Sequence, residues 1–211
     1  MMHQYDGIIF DVDGTLWYSC HKVAKIWSAE AQKYTGRPYH WDGKTLEKEF
    51  GKTMDDIMLD LVPELSPAQR RELGERCFAQ ENIGLAKDPG ILYPGVAETV
   101  RKLAERHRLF IVSNCQQGYI EILLDSCHLR DCFEGWLSWG ETRVEKDETI
   151  HILMERYGLQ NPVYVGDTQG DANSCARAGI DFVFAAYGLG QAEGYVAKVE
   201  CFAELLTLFE T

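Results

Sequence analysis

The sequence has little positive charge. Lys and Arg total 21 against 33 Asp and Glu, a net charge of −12 over 211 residues. That balance argues against a nucleic-acid or anionic-membrane binder, because such proteins need a basic surface to neutralise phosphates. An anionic substrate would need positive charge supplied locally. No apolar run reaches membrane-spanning length, and the opening Met1-Met2-His3-Gln4-Tyr5-Asp6 lacks a basic region followed by an apolar one. Paired metal-type cysteine spacings are missing too. The seven cysteines are scattered, the nearest two, Cys127 and Cys132, being separated by four residues, and an odd count fits reduced thiols better than a disulfide framework. Internal repeats and low-complexity tracts are also absent. These absences leave a globular protein expected to be cytoplasmic, with no nucleic-acid or membrane partner, as a monomer or homodimer.

What is present centres on Ile8-Ile9-Phe10-Asp11-Val12-Asp13-Gly14-Thr15-Leu16. An apolar run ends in two carboxylates and is then broken by Gly14. Ligands of doubly wound sheets bind at the carboxyl ends of the strands, so a strand that ends in Asp-x-Asp presents both acids at a site mouth. Period-2 geometry turns Asp11 and Asp13 the same way for as long as the strand conformation lasts. Two adjacent like charges are costly unless a proton or a cation relieves them, and magnesium is the simplest such cation.

Helical spacing follows. Val23, Ile26, Trp27 and Ala31 recur along a segment stopped at Gly36-Arg37-Pro38, a second amphipathic segment runs from about Thr53 to Leu61, and Ser66-Pro67 opens a third as N-cap and first helical residue. Residues 17–87 therefore read as an all-helical insertion. The breaker-rich passage from Lys87 to Gly95 returns the chain to alternating elements. The pattern predicts strands at 109–113, 136–138, 163–165 and 182–185, preceded in turn by helices at 96–106, 118–127, 148–157 and 171–178, with a closing helix at 202–209. With the first strand this makes an α/β fold, a Rossmann-like parallel sheet of about five strands with helices on both faces. The expected division is 1–16 with 88–211 as the α/β core and 17–87 as a helical cap.

Three of these strands end in groups suited to phosphate chemistry. They are Asp11 and Asp13, then Ser113-Asn114, then Gly166-Asp167 running on to Asp171, with Lys146 lying before the last of them. Parallel strands share their carboxyl end, so these groups should converge on one edge. Each also has an ordinary reading. Asp13-Gly14 is a common turn, Ser113-Asn114 suits a helix cap, Lys146 sits in the charged run Glu145-Lys146-Asp147-Glu148, and Asp171 suits an N-cap.

In order and spacing, Asp11-Val12-Asp13-Gly14-Thr15, Ser113-Asn114, Lys146 and Gly166-Asp167 to Asp171 resemble the four motifs of the haloacid dehalogenase superfamily. The helical insertion after the first motif is similar to that superfamily's C1 cap, and Asp171 to Gly179 resembles phosphoglycolate-phosphatase-like members. Two positions depart from the pattern. Asp147 follows Lys146 where many relatives have Pro, and Tyr18-Ser19 stands where many have an acid before the Ser.

The resemblance implies a magnesium-dependent phosphatase that works through an aspartyl-phosphate. Asp11 would be the nucleophile, since a carboxylate that forms an acyl phosphate splits one displacement into two. Asp13 would protonate the leaving oxygen and then activate water. Asp11, the backbone carbonyl of Asp13 and Asp167 would hold the metal. Ser113 and Lys146 would hold the transferring oxygens, and Asp171 would orient Lys146 or a metal-bound water. Gly14 would let the Val12 to Gly14 turn approach phosphate closely, with Asn114 beside it. In the cap, His21, Lys22, Trp27, Arg37, Lys44 and Lys52 are candidate substrate contacts, Lys52 through the loop Gly51-Lys52-Thr53. The substrate would be a small phosphorylated metabolite, since a macromolecule would not fit beneath a cap. Cys115 reads as a packing residue. The alternatives are a sugar phosphomutase of the β-phosphoglucomutase type, a dehalogenase, a phospho-acceptor switch domain without a hydrolase role, and a catalytically silent interaction module.

Overall fold

The structure is a computed structural model in which residues 5–209 are described. Met1 to Gln4, part of the leader-free reading of the N-terminus, lie outside them. In chain order the elements are β1 (Gly7–Phe10), β2 (Trp17–Tyr18), α1 (Cys20–Thr35), α2 (Gly43–Glu47), α3 (Met54–Leu61), α4 (Pro67–Lys87), β3 (Ile91–Leu92) and α5 (Val96–Ala104). They continue with β4 (Leu109–Ser113), α6 (Tyr119–Ser126), a 3₁₀ turn (Arg130–Cys132), β5 (Gly135–Ser138), α7 (Trp139–Thr142) and α8 (Lys146–Tyr157). The last are β6 (Pro162–Gly166), α9 (Gln169–Ala178), β7 (Asp181–Ala185), β8 (Ala197–Val199) and α10 (Glu204–Phe209). The chain divides into two compact units, 1–18 with 91–211, and 19–90.

The first unit is built on a six-stranded sheet of order β5-β4-β1-β6-β7-β8, parallel at every pairing. The strands are short apolar runs, and β1, β4 and β6 are buried along their whole length, as a sheet covered on both faces requires. One face packs Ile9, Phe110, Val112, Tyr164, Phe182 and Phe184 against Ile150 and Leu153 of α8 and Ala172, Cys175 and Ala178 of α9. On the other, Phe10 lies edge-on to Phe133 and against Phe202, with ring centroids 6.2 and 5.7 Å apart. Phe10 and Ile9, neighbours in sequence, thus serve opposite layers, as the pleat dictates.

Three details correct the sequence reading. The sheet has a sixth strand, β8, which at three residues carries too little alternation to stand out. Trp17–Tyr18 is not helical but pairs antiparallel with Ile91–Leu92, forming a two-stranded ribbon in the first unit where the chain leaves and returns. Helices α8 and α9 start two residues earlier than their apolar spacing indicates, at Lys146 and Gln169; for α9 the Thr168–Asp171 capping box, not hydrophobic periodicity, sets the first turn.

The second unit contains helices α1 to α4. Gly36 ends α1 in a left-handed conformation, and Ser66 opens α4 through a capping box closed by Gln69, with Pro67 first in the helix. Trp27, inside this unit, donates its indole N–H to buried Glu81 at 2.7 Å. No described helix is long and apolar enough to cross a membrane.

Candidate active site

The sheet order puts β1 between β4 and β6, and the chain reverses its direction of travel across the sheet there, the place where doubly wound sheets open a crevice. Phe10 is in register with both Ile111 and Val165. The next residues along each strand therefore place Asp11, Ser113 and Asp167 at one sheet edge. Asp11 continues the ladder through its amide to the Val165 carbonyl at 2.9 Å.

Lys146, the first residue of α8, is 5 % exposed, which removes the solvated-surface reading of its charged neighbourhood. Its ammonium donates to Asp171 Oδ1 at 2.6 Å and to Asp11 Oδ1 at 3.0 Å. Burial alone would lower its proton affinity, but the two carboxylates outweigh that and hold it above the ordinary lysine value. Asp171 is fixed from the other side. Its Oδ2 accepts the Thr168 amide at 3.0 Å and the Thr168 hydroxyl at 2.7 Å in a capping box. Thr168 is thus the N-cap, and Asp171 sits at the third position with its free carboxylate oxygen turned to Lys146.

Asp11, Asp167 and Asp171 each offer a carboxylate oxygen, all within 4.8 Å of one another. Asp167 is fully buried, accepting the Leu189 amide at 2.7 Å and the Thr15 hydroxyl at 3.4 Å. Burial raises Asp11 to about 6 against the lowering pull of Lys146. Burial and the charges of Asp171 and Asp11 raise Asp167 well above the carboxylate range. Three clustered buried acids, two of them bonded to a single ammonium, form a hard-oxygen donor set short of positive charge, which fits a divalent cation such as magnesium.

The loop after β1 winds tightly, with the Thr15, Leu16 and Trp17 amides all donating to the Val12 carbonyl. Gly14 has φ +82, and a β-carbon there would lie 2.1 Å from Asp167 Oδ2. Only glycine fits. Asp13, half-buried, accepts at Oδ1 from the Tyr119 hydroxyl and the Trp17 indole N–H, at 2.7 and 3.2 Å. Ser113 is buried at the end of β4 and Asn114 half-buried after it. Neither caps the next helix, since the cap of α6 is Gly118.

The cap candidates lie in the second unit. Lys52 is paired with Glu49 at 2.8 Å and Asp60 at 2.7 Å, and Lys22 with Asp88 and the Pro89 carbonyl. His21, Arg37 and Lys44 are exposed, and Trp27 is buried.

The sequence reading passed over several groups. Tyr164 donates to the Val112 carbonyl at 2.7 Å and lies 3.3 Å from Asp11 Oδ1. Tyr187 donates to the Thr15 carbonyl at 2.9 Å. A β-carbon at Gly188 would meet Asp167 Cβ at 2.3 Å. Tyrosine inside an apolar strand was the only available signal for Tyr164, since a buried hydroxyl calls for a partner.

A family model described as haloacid dehalogenase-like hydrolase matches residues 8–185. The chain belongs to that family. It is 28 % identical over 203 residues to a phosphoglycolate phosphatase of Synechococcus elongatus, covering 90 % of this chain and 88 % of that one. Its fold is similar to a haloacid dehalogenase-like family hydrolase of Streptococcus pneumoniae, with TM-score 0.84, 20 % identity and coverage of 98 % and 99 %. It is also similar to CbbY of Rhodobacter sphaeroides in complex with phosphate, with TM-score 0.81, 17 % identity and coverage of 98 % and 100 %. The expectation of a hydrolytic enzyme on a Rossmann-like core therefore holds.

Proposed function

We propose that this hydrolase is a cytoplasmic, magnesium-dependent phosphatase that cleaves a small phosphorylated metabolite through an aspartyl-phosphate on Asp11. The observation that carries the reading is the buried cluster in which Lys146 bridges Asp11 and Asp171 beside Asp167. A buried carboxylate at a strand end, next to a fixed cation and two further acids, suits attack on phosphorus better than a structural role. Asp11, Asp167 and the Asp13 carbonyl would hold the magnesium, whose charge offsets that of the phosphoryl oxygens when bound.

In the first step a carboxylate oxygen of Asp11 forms a bond to phosphorus while the bond to the leaving oxygen breaks, and Asp13 gives that oxygen its proton. In the second, Asp13 takes a proton from water as the water oxygen attacks phosphorus, releasing inorganic phosphate and restoring Asp11. Ser113 and Lys146 hold the phosphoryl oxygens throughout, and Asp171 keeps the ammonium aimed at Asp11. The named relative makes phosphoglycolate the first ester to screen.

The test is hydrolysis of p-nitrophenyl phosphate and phosphoglycolate with and without magnesium, for the wild type and Asp11→Asn. Magnesium-dependent release of phosphate that Asp11→Asn abolishes supports the reading. Turnover that survives Asp11→Asn, or that is indifferent to chelation, overturns it.

A further inference from the structure

Asp13 is held differently from Asp11 and Asp171. Asp11 and Asp171 meet the ammonium of Lys146, whereas Asp13 Oδ1 meets two neutral donors, the Tyr119 hydroxyl at 2.7 Å and the Trp17 indole N–H at 3.2 Å. The donors come from separate elements, Tyr119 from the first residue of α6 and Trp17 from β2. Both rings are essentially inaccessible to solvent and pack edge to face, with centroids 5.4 Å apart at 81°.

Large buried rings often serve packing alone. Here both polar tips end on one carboxylate oxygen, which packing does not require. Tyr and Trp lose few rotatable bonds on burial, and a ring wedged against another ring cannot follow the carboxylate if it swings. The arrangement therefore pins one oxygen of Asp13 and fixes the direction in which the other faces.

We propose that Tyr119 and Trp17 are positioning residues for proton transfer by Asp13, aligning its second oxygen with the leaving oxygen of the phosphate ester. The inference rests on the acid–base role given to Asp13 above. A misaligned general acid penalises most the leaving group that most needs a proton, so the defect should depend on the ester used. A ring that only packs would impair all esters alike.

The experiment compares kcat/KM for p-nitrophenyl phosphate, whose leaving group departs nearly unaided, with phenyl phosphate, whose leaving group needs protonation. It uses the wild type, Tyr119→Phe, Trp17→Phe and Asp13→Asn, with melting temperatures recorded for each. Tyr119→Phe keeps the ring and removes only the hydroxyl. Expected is a fall for phenyl phosphate about tenfold larger than for p-nitrophenyl phosphate in Tyr119→Phe, the same trend in Trp17→Phe, and the steepest contrast in Asp13→Asn. Equal losses on both esters, no loss, or a gain in Tyr119→Phe overturns the positioning role. If Asp13→Asn itself shows no dependence on the leaving group, the acid–base assignment of Asp13 fails instead.

Discussion

Lys146 and Asp171 form a buried ion pair, 2.6 Å between Nζ and Oδ1, with the two side chains 5 % and 1 % exposed. The pair is anchored at both ends, by the Thr168 capping box on one side and by Asp11 at 3.0 Å on the other. Helix capping at α9 thus sets the position of a cation beside Asp11. The geometry of one helix start is transmitted to the site through a single side chain.

Removing that cation should be costly twice over. Lys146→Met keeps most of the stem volume but leaves buried Asp11 and Asp171 without their ammonium. The metal-free protein should lose about 3–5 kcal/mol of stability, as when one partner of a buried pair is deleted. Phosphatase kcat should fall about a thousandfold. Denaturant titration and steady-state kinetics check the two effects, and an unchanged unfolding midpoint would contradict the cluster described here.

Magnesium binding should strengthen as pH rises. Asp11 is raised to about 6 and Asp167 well above the carboxylate range, chiefly by burial. A raised acid favours the fold below its unfolded value, and that contribution is lost as pH climbs through the folded value. Protons and the metal therefore compete for the same oxygens. The magnesium-induced rise in melting temperature should be small at about pH 5 and grow toward about pH 8. Thermal scans at several pH values, each with magnesium and with chelator, measure it, and a shift independent of pH would refute the linkage.

Gly14→Ala should separate folding from metal binding. The positive φ costs a non-glycine residue about 1–2 kcal/mol, and the new β-carbon would lie 2.1 Å from Asp167 Oδ2. Asp167 must then move. The magnesium concentration for half-maximal activity should rise at least about tenfold, measured by metal titration of phosphate release. A variant with wild-type metal dependence would show that Asp167 can yield without consequence.

Much of the site was legible in the sequence because its elements are local. A short apolar run ending in Asp11-Val12-Asp13-Gly14 needs no tertiary information to be read as a strand followed by a break. The same holds for Leu109 to Ser113 and for Pro162 to Asp167. The reading failed where local pattern is weak. Strand β8 is three residues long, and Trp17–Tyr18 looked like the start of a helix because its pairing partner, Ile91–Leu92, lies more than seventy positions on.

By itself, then, the sequence determined the parallel α/β core and the order of its strand-end acids, since periodicity and breakers act between near neighbours. Only the tertiary structure decided which side chains serve those acids. Tyr119 reaches Asp13 across 106 positions, Tyr164 reaches Asp11 across 153, and the Leu189 amide finds Asp167 from a loop beyond β7. Such contacts leave no periodic trace, because they depend on strand order and helix packing instead of spacing along the chain.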